Sequence, residues 1–321
     1  MPDYIFKTYI DGGREYYEYT DAADREQTIK KDFPFPESLM ELLYMDTQEL
    51  EAITKKMDKA LLASYQSGAK DDLQVVVEGL DELASRHVYF ELLRLDWTER
   101  LKAAERVTPK EYLRLLPHKK ISHIYSNIDT MQRQIISLIA HALDMDGEKK
   151  SVSEKMVAYY NAEGNDTLYT FQFQPQPVNF EVIDRRIFAE VLYPKDIYDL
   201  IDHHIRECVK REVRMRVCKN CLRYFAVTGK ASTEYCDRIC DSKGRTCREI
   251  GAINTWTQRK QGDEVFKEYR REYKKRFARI NAGKLTKSVF YAWSEEARKK
   301  KEDCDNGTIT PEDFSRWLKE S

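Results

Sequence analysis

Five cysteines fall within thirty residues, Cys218, Cys221, Cys236, Cys240 and Cys247, spaced C-x2-C-x14-C-x3-C-x6-C. In Cys218-Lys219-Asn220-Cys221 a tight turn returns two sulfurs toward one point. That is the knuckle of a structural zinc site, where thiolates stand about 2.3 Å from the metal in a tetrahedron. Disulfides are the competing reading. The seven cysteines of the chain are an odd number, and Met1-Pro2-Asp3-Tyr4 opens with neither the basic nor the apolar region of an export signal, so an oxidising compartment is not expected. The spacing also matches neither common ferredoxin run of an iron–sulfur protein. The expected cofactor is one structural Zn2+.

Four ligands are needed from five candidates. Cys218, Cys221 and Cys236 fit every scheme, and the fourth is Cys247 or, alternatively, Cys240. Cys247 is favoured because Thr246 is placed to cap a helix, whose first turn stabilises a thiolate. His204 is a spare ligand should Cys247 not serve. A shell of four thiolates leaves no position for water, so the site is structural and not hydrolytic. Cys208 and Cys304 lie on apolar helical faces and read as core residues.

The segment Cys218 to Gly251, CKNCLRYF…YCDR…GRTCREIGA, resembles the C-terminal zinc-knuckle region of a family of bacterial proteins of unknown function. That resemblance extends through the helical tail, about a third of the chain, and implies no activity. More loosely, the cluster is similar to the CGNR-type zinc finger, with its early cysteine pair and late aromatic-Cys-x3-Cys. Tyr235-Cys236 and Cys240 match that pattern, whereas Asp241-Ser242-Lys243 stands where Gly-Asn-Arg would follow. The CGNR likeness implies a DNA-binding regulator.

Charge points the same way. The chain carries 54 Lys+Arg and 55 Asp+Glu, net −1. Residues 1–205 hold 25 basic and 37 acidic residues, net −12, while residues 206–321 hold 29 and 18, net +11. A basic part attached to an acidic body predicts a polyanion partner, DNA or RNA. Arg238, Lys243, Arg245, Arg248, Arg259 and Lys260 flank the cysteines. Arg270, Arg271, Lys274 and Lys275, with Lys267 and Arg279, lie opposite a Tyr269/Tyr273/Phe277 stripe. The expected phosphate contacts are Arg238, Lys243, Arg245, Arg248, Arg270, Arg271, Lys274 and Lys275. The bland alternative is a solvated helix with Glu268 and Glu272 as ion-pair partners, in a protein whose zinc module binds another protein. The tyrosines at helical spacing read as core rather than as base-stacking platforms.

The fold class is α+β and predominantly helical, in two domains, 1–205 acidic and helical and 206–321 the zinc knuckle with a helical tail. Tyr4–Ile10, Asp11-Gly12-Gly13 and Glu15–Tyr19 predict a hairpin. Lys31–Pro36, with two prolines, reads as a linker. From Glu37 to Leu143 the apolar period is helical, with a break at Gly68 and a capping box at Thr108-Pro109-Lys110-Glu111. A small mixed segment follows: a strand at Leu168–Phe173, another at Ile187–Tyr193, a helix from about Asp196 to Lys210 and a short strand at Arg214–Val217. The tail predicts three helices, the last capped at Thr310.

Catalytic motifs are missing. The sequence has no Walker loop, Gly-x-Gly-x-x-Gly, His-Glu-x-x-His or Gly-x-Ser-x-Gly, and its six histidines have no motif partners. No enzyme activity is expected. No run approaches the roughly 18 apolar residues of a membrane helix. The expected location is the cytoplasm, with no membrane partner.

Overall fold

Gly12 and Gly13 both take positive φ, 55° and 77°, the conformation of a type I′ turn, whose twist matches the strands it joins. They connect β1 (Phe6–Asp11) to β2 (Arg14–Thr20), paired antiparallel with Asp11 opposite Arg14. The computed structural model describes residues 3–22, 24–68, 70–163, 170–253, 264–305 and 307–321. The chain divides into two compact units: Met1–Val217 with Arg223–Thr233, and Cys218–Leu222 with Glu234–Ser321.

In the first unit the hairpin grows into a five-stranded antiparallel sheet, order β3-β2-β1-β5-β4. β3 is Thr28–Pro34, β4 Val178–Ile183 and β5 Ile187–Leu192. β3 occupies much of the stretch expected to be a linker. Lys30 and Asp32 alternate outward along an edge, where proline at the last position costs no ladder bond. Phe6, Tyr17 and Tyr19 enter the main core, and Tyr9, Ile183, Ala189 and Val191 form a smaller cluster.

The helical body comprises α1 (Glu37–Leu42), α2 (Thr47–Ser67), α3 (Lys70–Arg86), α4 (Tyr89–Ala104), α5 (Tyr112–Leu115), α6 (Lys119–Ser122), α7 (Ile124–Leu138) and α8 (Val152–Glu163). Gly68 ends α2 in the left-handed region, φ 61°. The expected capping box at Thr108 does not form. A 3-10 turn, Pro109–Glu111, stands there, and the Thr108 side chain makes no cap bond. The expected strand at Leu168–Phe173 is also corrected. Residues 168 and 169 lie outside the described residues, and 170–173 join no ladder. Two tyrosines satisfy that backbone instead: Tyr159 meets the Phe171 N–H at 3.3 Å, and the Tyr160 hydroxyl donates to the Phe171 carbonyl at 2.7 Å.

Asp196 caps α9 (Ile197–Lys210), accepting from the Tyr198 and Asp199 amides. Ile197, Leu200, Ile201, Ile205 and Cys208 face the core, as the period predicts. α9 also buries His204, whose Nδ1 lies 2.8 Å from the Leu200 carbonyl and whose Nε2 lies 2.8 Å from the Tyr17 hydroxyl. A carbonyl only accepts, so Nδ1 carries the proton there. Glu15 Oε2, equally buried, is 3.2 Å from Nε2. With both nitrogens engaged inside this core, His204 is a core histidine and not a spare metal ligand. After α9 come β6 (Met215–Val217) and β7 (Tyr224–Ala226), an antiparallel pair.

The second unit holds α10 (residues 247–253), α11 (Glu264–Asn281), α12 (Lys287–Asp305) and α13 (Pro311–Glu320). Its own core is Phe290, Trp293, Ala297, Phe314 and Leu318, with Tyr269 and Tyr273 half-buried against them. Tyr269 and Tyr273 therefore pack on this core, whereas Phe277 of the same stripe is exposed. Thr310 caps α13 through the Asp313 amide. No helix among the described residues is long and apolar enough to cross a membrane.

Candidate metal centre

Cys218 and Cys221 lie on a turn closed by the Leu222 amide donating to the Cys218 carbonyl at 2.9 Å, with Leu222 at φ 59°. The Lys219 amide donates to the Glu234 carbonyl at 3.1 Å and so ties this turn to the segment carrying Cys236. A second small loop follows. Ile239 pairs with Thr246, Cys240 N donates to the Arg245 carbonyl at 2.9 Å, and Cys247 N to the Arg238 carbonyl at 2.9 Å. Asp241 Oδ1 accepts from the Lys243 and Arg245 amides, at 2.9 and 3.0 Å, and holds the loop tip. Thr246 and Glu249 then cap α10 reciprocally: the Thr246 amide donates to Glu249 Oε2, and the Glu249 amide to Thr246 Oγ1. Cys247 is thus delivered in the first turn of a capped helix, as its sequence position predicts.

These turns bring the sulfurs of Cys218, Cys221, Cys236 and Cys247 within 4.8 Å of one another. The Cys221 and Cys236 sulfurs are 3.7 Å apart. Four sulfurs at zinc–thiolate bond length on a tetrahedron stand about 3.8 Å apart, so the cluster fits such an ion. Cys218, Cys236 and Cys247 are buried and Cys221 partly so. Cys240 is elsewhere. Its sulfur is 3.4 Å from the Arg245 carbonyl, because the pairing of Ile239 with Thr246 closes residues 240–245, the C-x6-C loop, into a local turn that carries Cys240 with it.

Electrostatics separate Cys218, Cys236 and Cys247. Burial pushes the Cys218 thiol up, but the amides of Cys221, Cys236 and Asn220 donate to it and bring it down to about 7. Burial, with the neighbouring Cys218 and Cys221, lifts Cys236 to about 11. Cys247 rises further, from burial and its neighbour Cys236, against a hydrogen bond from Asn220. A thiolate cluster of this kind needs a cation to hold all four charges together. Asn220 Nδ2 donates to Cys247 Sγ at 3.2 Å, and Arg238 Nη1 lies 3.7 Å from Cys236 Sγ. These outer donors are the part that spacing could not reveal, since nothing in the sequence marks Asn220 as facing a sulfur.

Gly251 and Tyr235 lock the loop to the helix. A Cβ on Gly251 would sit 2.3 Å from the Tyr235 ring, so only glycine lets the ring lie on α10.

Of the eight expected phosphate contacts, Arg238 faces the cysteine cluster and four others make ion pairs. Arg245 pairs with Asp241 at 2.6 Å and Arg248 with Asp237 at 2.8 Å. On α11, Arg271 pairs with Glu268 at 3.3 Å and Lys275 with Glu272 at 3.2 Å. Arg270 and Lys274 are exposed on the same helix, and Lys243 is exposed on the loop. Arg259 and Lys260 lie outside the described residues.

Residues 168–320 match the model of a family of unknown function, DUF6076. The matched segment contains all five clustered cysteines and begins upstream of them, taking in β4, β5 and α9. No curated protein and no solved structure matches the chain.

Proposed function

We propose that Cys218, Cys221, Cys236 and Cys247 hold one structural Zn2+, and that the knuckle so formed, with α11, binds nucleic acid through its phosphates in the manner of a regulator. The mutual 4.8 Å limit on the four sulfurs supports the metal reading. Four sulfur donors close the coordination shell, so the ion supplies folding energy and no open position for a substrate. Asn220 and Arg238 offset the surplus negative charge of four thiolates on a divalent ion.

Exposure of Arg270, Arg271, Lys274 and Lys275 along one helix supports the phosphate reading. The ion pairs of Arg271 and Lys275 are exposed on the basic side, and such pairs exchange readily for a phosphate because they are worth little in water. The second unit carries 22 basic and 16 acidic residues, so its field is only moderately positive. The binding expected is accordingly weak and salt-sensitive. It is tested by electrophoretic mobility shift of the full chain on random-sequence duplex DNA and on single-stranded RNA across a salt series. Affinity should fall steeply with salt, and Arg270, Arg271, Lys274 and Lys275 changed together to Ala should flatten that slope. No shift at micromolar protein in low salt would refute the phosphate reading.

One observation favours a second reading. Leu222, Ile239 and Ile253 are apolar and well exposed beside the cysteine turns, at 77%, 69% and 67%. Exposed aliphatic groups on a rigid zinc module suit a protein partner. On that reading the chain shows no nucleic-acid shift and co-purifies with a protein that Leu222→Ser and Ile239→Ser release.

A further inference from the structure

The first unit contains a cavity of about 300 Å³ between α4, α6, α7 and the start of α9. Leu92, Leu93, Trp97 and Ile124 supply an apolar lining, enough for one or two aromatic rings. Trp97 is fully buried, and its Nε1–H has no hydrogen-bond partner among the described residues.

The charges around this cavity oppose those of the body that holds it. Residues 1–205 are net −12, yet the cavity is lined by Arg100, Lys119, Lys120 and Lys195 against two carboxylates, Asp96 and Asp196. Both carboxylates are already engaged. Asp96 Oδ2 accepts from Arg100 Nε at 2.7 Å, and Asp196 Oδ1 caps α9. Asp96 and Arg100 thereby cancel. Lys119, Lys120 and Lys195 are exposed at the mouth and make no ion pair among the described residues. Four cations against two carboxylates leave the lining at net +2, and that charge over an apolar floor attracts a compact anion carried on an apolar body.

We infer that this cavity binds a small aromatic phosphate ester, its ring system against Leu92, Leu93, Trp97 and Ile124 and its phosphate held by Lys119, Lys120 and Lys195. Lysine ammonium groups act as point charges on a phosphoryl group and need no fixed bidentate geometry. The site lies in the acidic body and is independent of the cysteine cluster.

The test is isothermal titration of the full chain with 1-naphthyl phosphate and, separately, with uncharged 1-naphthol. One equivalent of naphthyl phosphate should bind, at least tenfold tighter than naphthol. The triple variant Lys119→Gln, Lys120→Gln, Lys195→Gln alters only exposed side chains and so should keep the fold, checked by circular dichroism. It should abolish the tenfold preference while naphthol binds as before. Equal affinity for the two probes would overturn the phosphate assignment. Unchanged naphthyl phosphate affinity in the triple variant would place the ligand elsewhere and overturn the site, and absence of binding by both probes would overturn it outright.

Discussion

Cys240 and Cys247 differ by local backbone, not by chemistry. The bridge between Ile239 and Thr246 turns Cys240 toward the Arg245 carbonyl, while the capped start of α10 presents Cys247 to the other three sulfurs. Cys247→Ser should therefore lose the metal and Cys240→Ser keep it, read as zinc per chain by elemental analysis. The reverse pattern would restore the alternative pairing. Gly251 gives a second residue-scale test, with opposite signs from two effects. Helix propensity alone predicts that Gly251→Ala stabilises α10 by about 0.5–1 kcal/mol. Contact with the Tyr235 ring at 2.3 Å predicts instead a loss of about 1–3 kcal/mol, as for an overpacked core. Thermal unfolding should show the loss, and Tyr235→Ala in the same chain should remove most of it. A stabilised single variant would contradict the packing described.

At the scale of elements, the buried histidines make unit 1 sensitive to acid. His87 is held neutral on both sides: Nε2–H donates to the Ser38 carbonyl at 2.8 Å, and Nδ1 accepts from the Tyr89 amide at 3.2 Å. Burial pushes it down to about 4 and His203 down to about 3. In the unfolded chain both titrate near 6.5. Between the two values the unfolded state binds the extra protons, so stability is complete above about pH 6.5 and falls as the pH drops toward 4. His87 alone accounts for on the order of 3 kcal/mol across that window. Urea unfolding followed from pH 7.5 to 4.5 should show the decline, and the ring-proton resonances of both histidines should not titrate in the native protein. A native His87 that titrates near 6.5 would refute the argument.

Legibility in the sequence followed the kind of signal. The first hairpin was readable because Asp-Gly between aromatic runs leaves one turn type, and α9 because Asp196 and a clean apolar period mark its start and inner face. β3 is not, since Pro34 at its end and Pro36 just beyond resemble a linker until an edge position makes Pro34 harmless. β4 carries a strand signal that the reading above does not use, Val178, Phe180 and Val182 alternating with Asn179 and Glu181, although Phe180 and Val182 are exposed at 67% and 66%. The cysteine cluster was legible from spacing, whereas the engagement of Arg245 and Arg248 by Asp241 and Asp237 depends on loop geometry that composition cannot express.

For the whole molecule, two separate cores predict separate responses to metal loss. The core around Phe290, Trp293 and Phe314 and that around Tyr17 and Trp97 each contain their own buried aromatic residues, whereas residues 218–222 and 234–253 have few buried apolar groups beyond the cysteines, Ile250 among them. On the proposed reading that short region depends on a bound ion for its fold. Chelation should accelerate amide exchange across 234–253 while the strands of the five-stranded sheet stay protected. Loss of protection in β1 and β2 on chelation would contradict that independence. The central claim, one Zn2+ held by four thiolates, is tested most directly by zinc K-edge X-ray absorption on the full chain purified without added metal. The account predicts near-stoichiometric zinc with four sulfur neighbours at about 2.3 Å. A folded chain without zinc, or a shell containing nitrogen or oxygen in place of a sulfur, would contradict it.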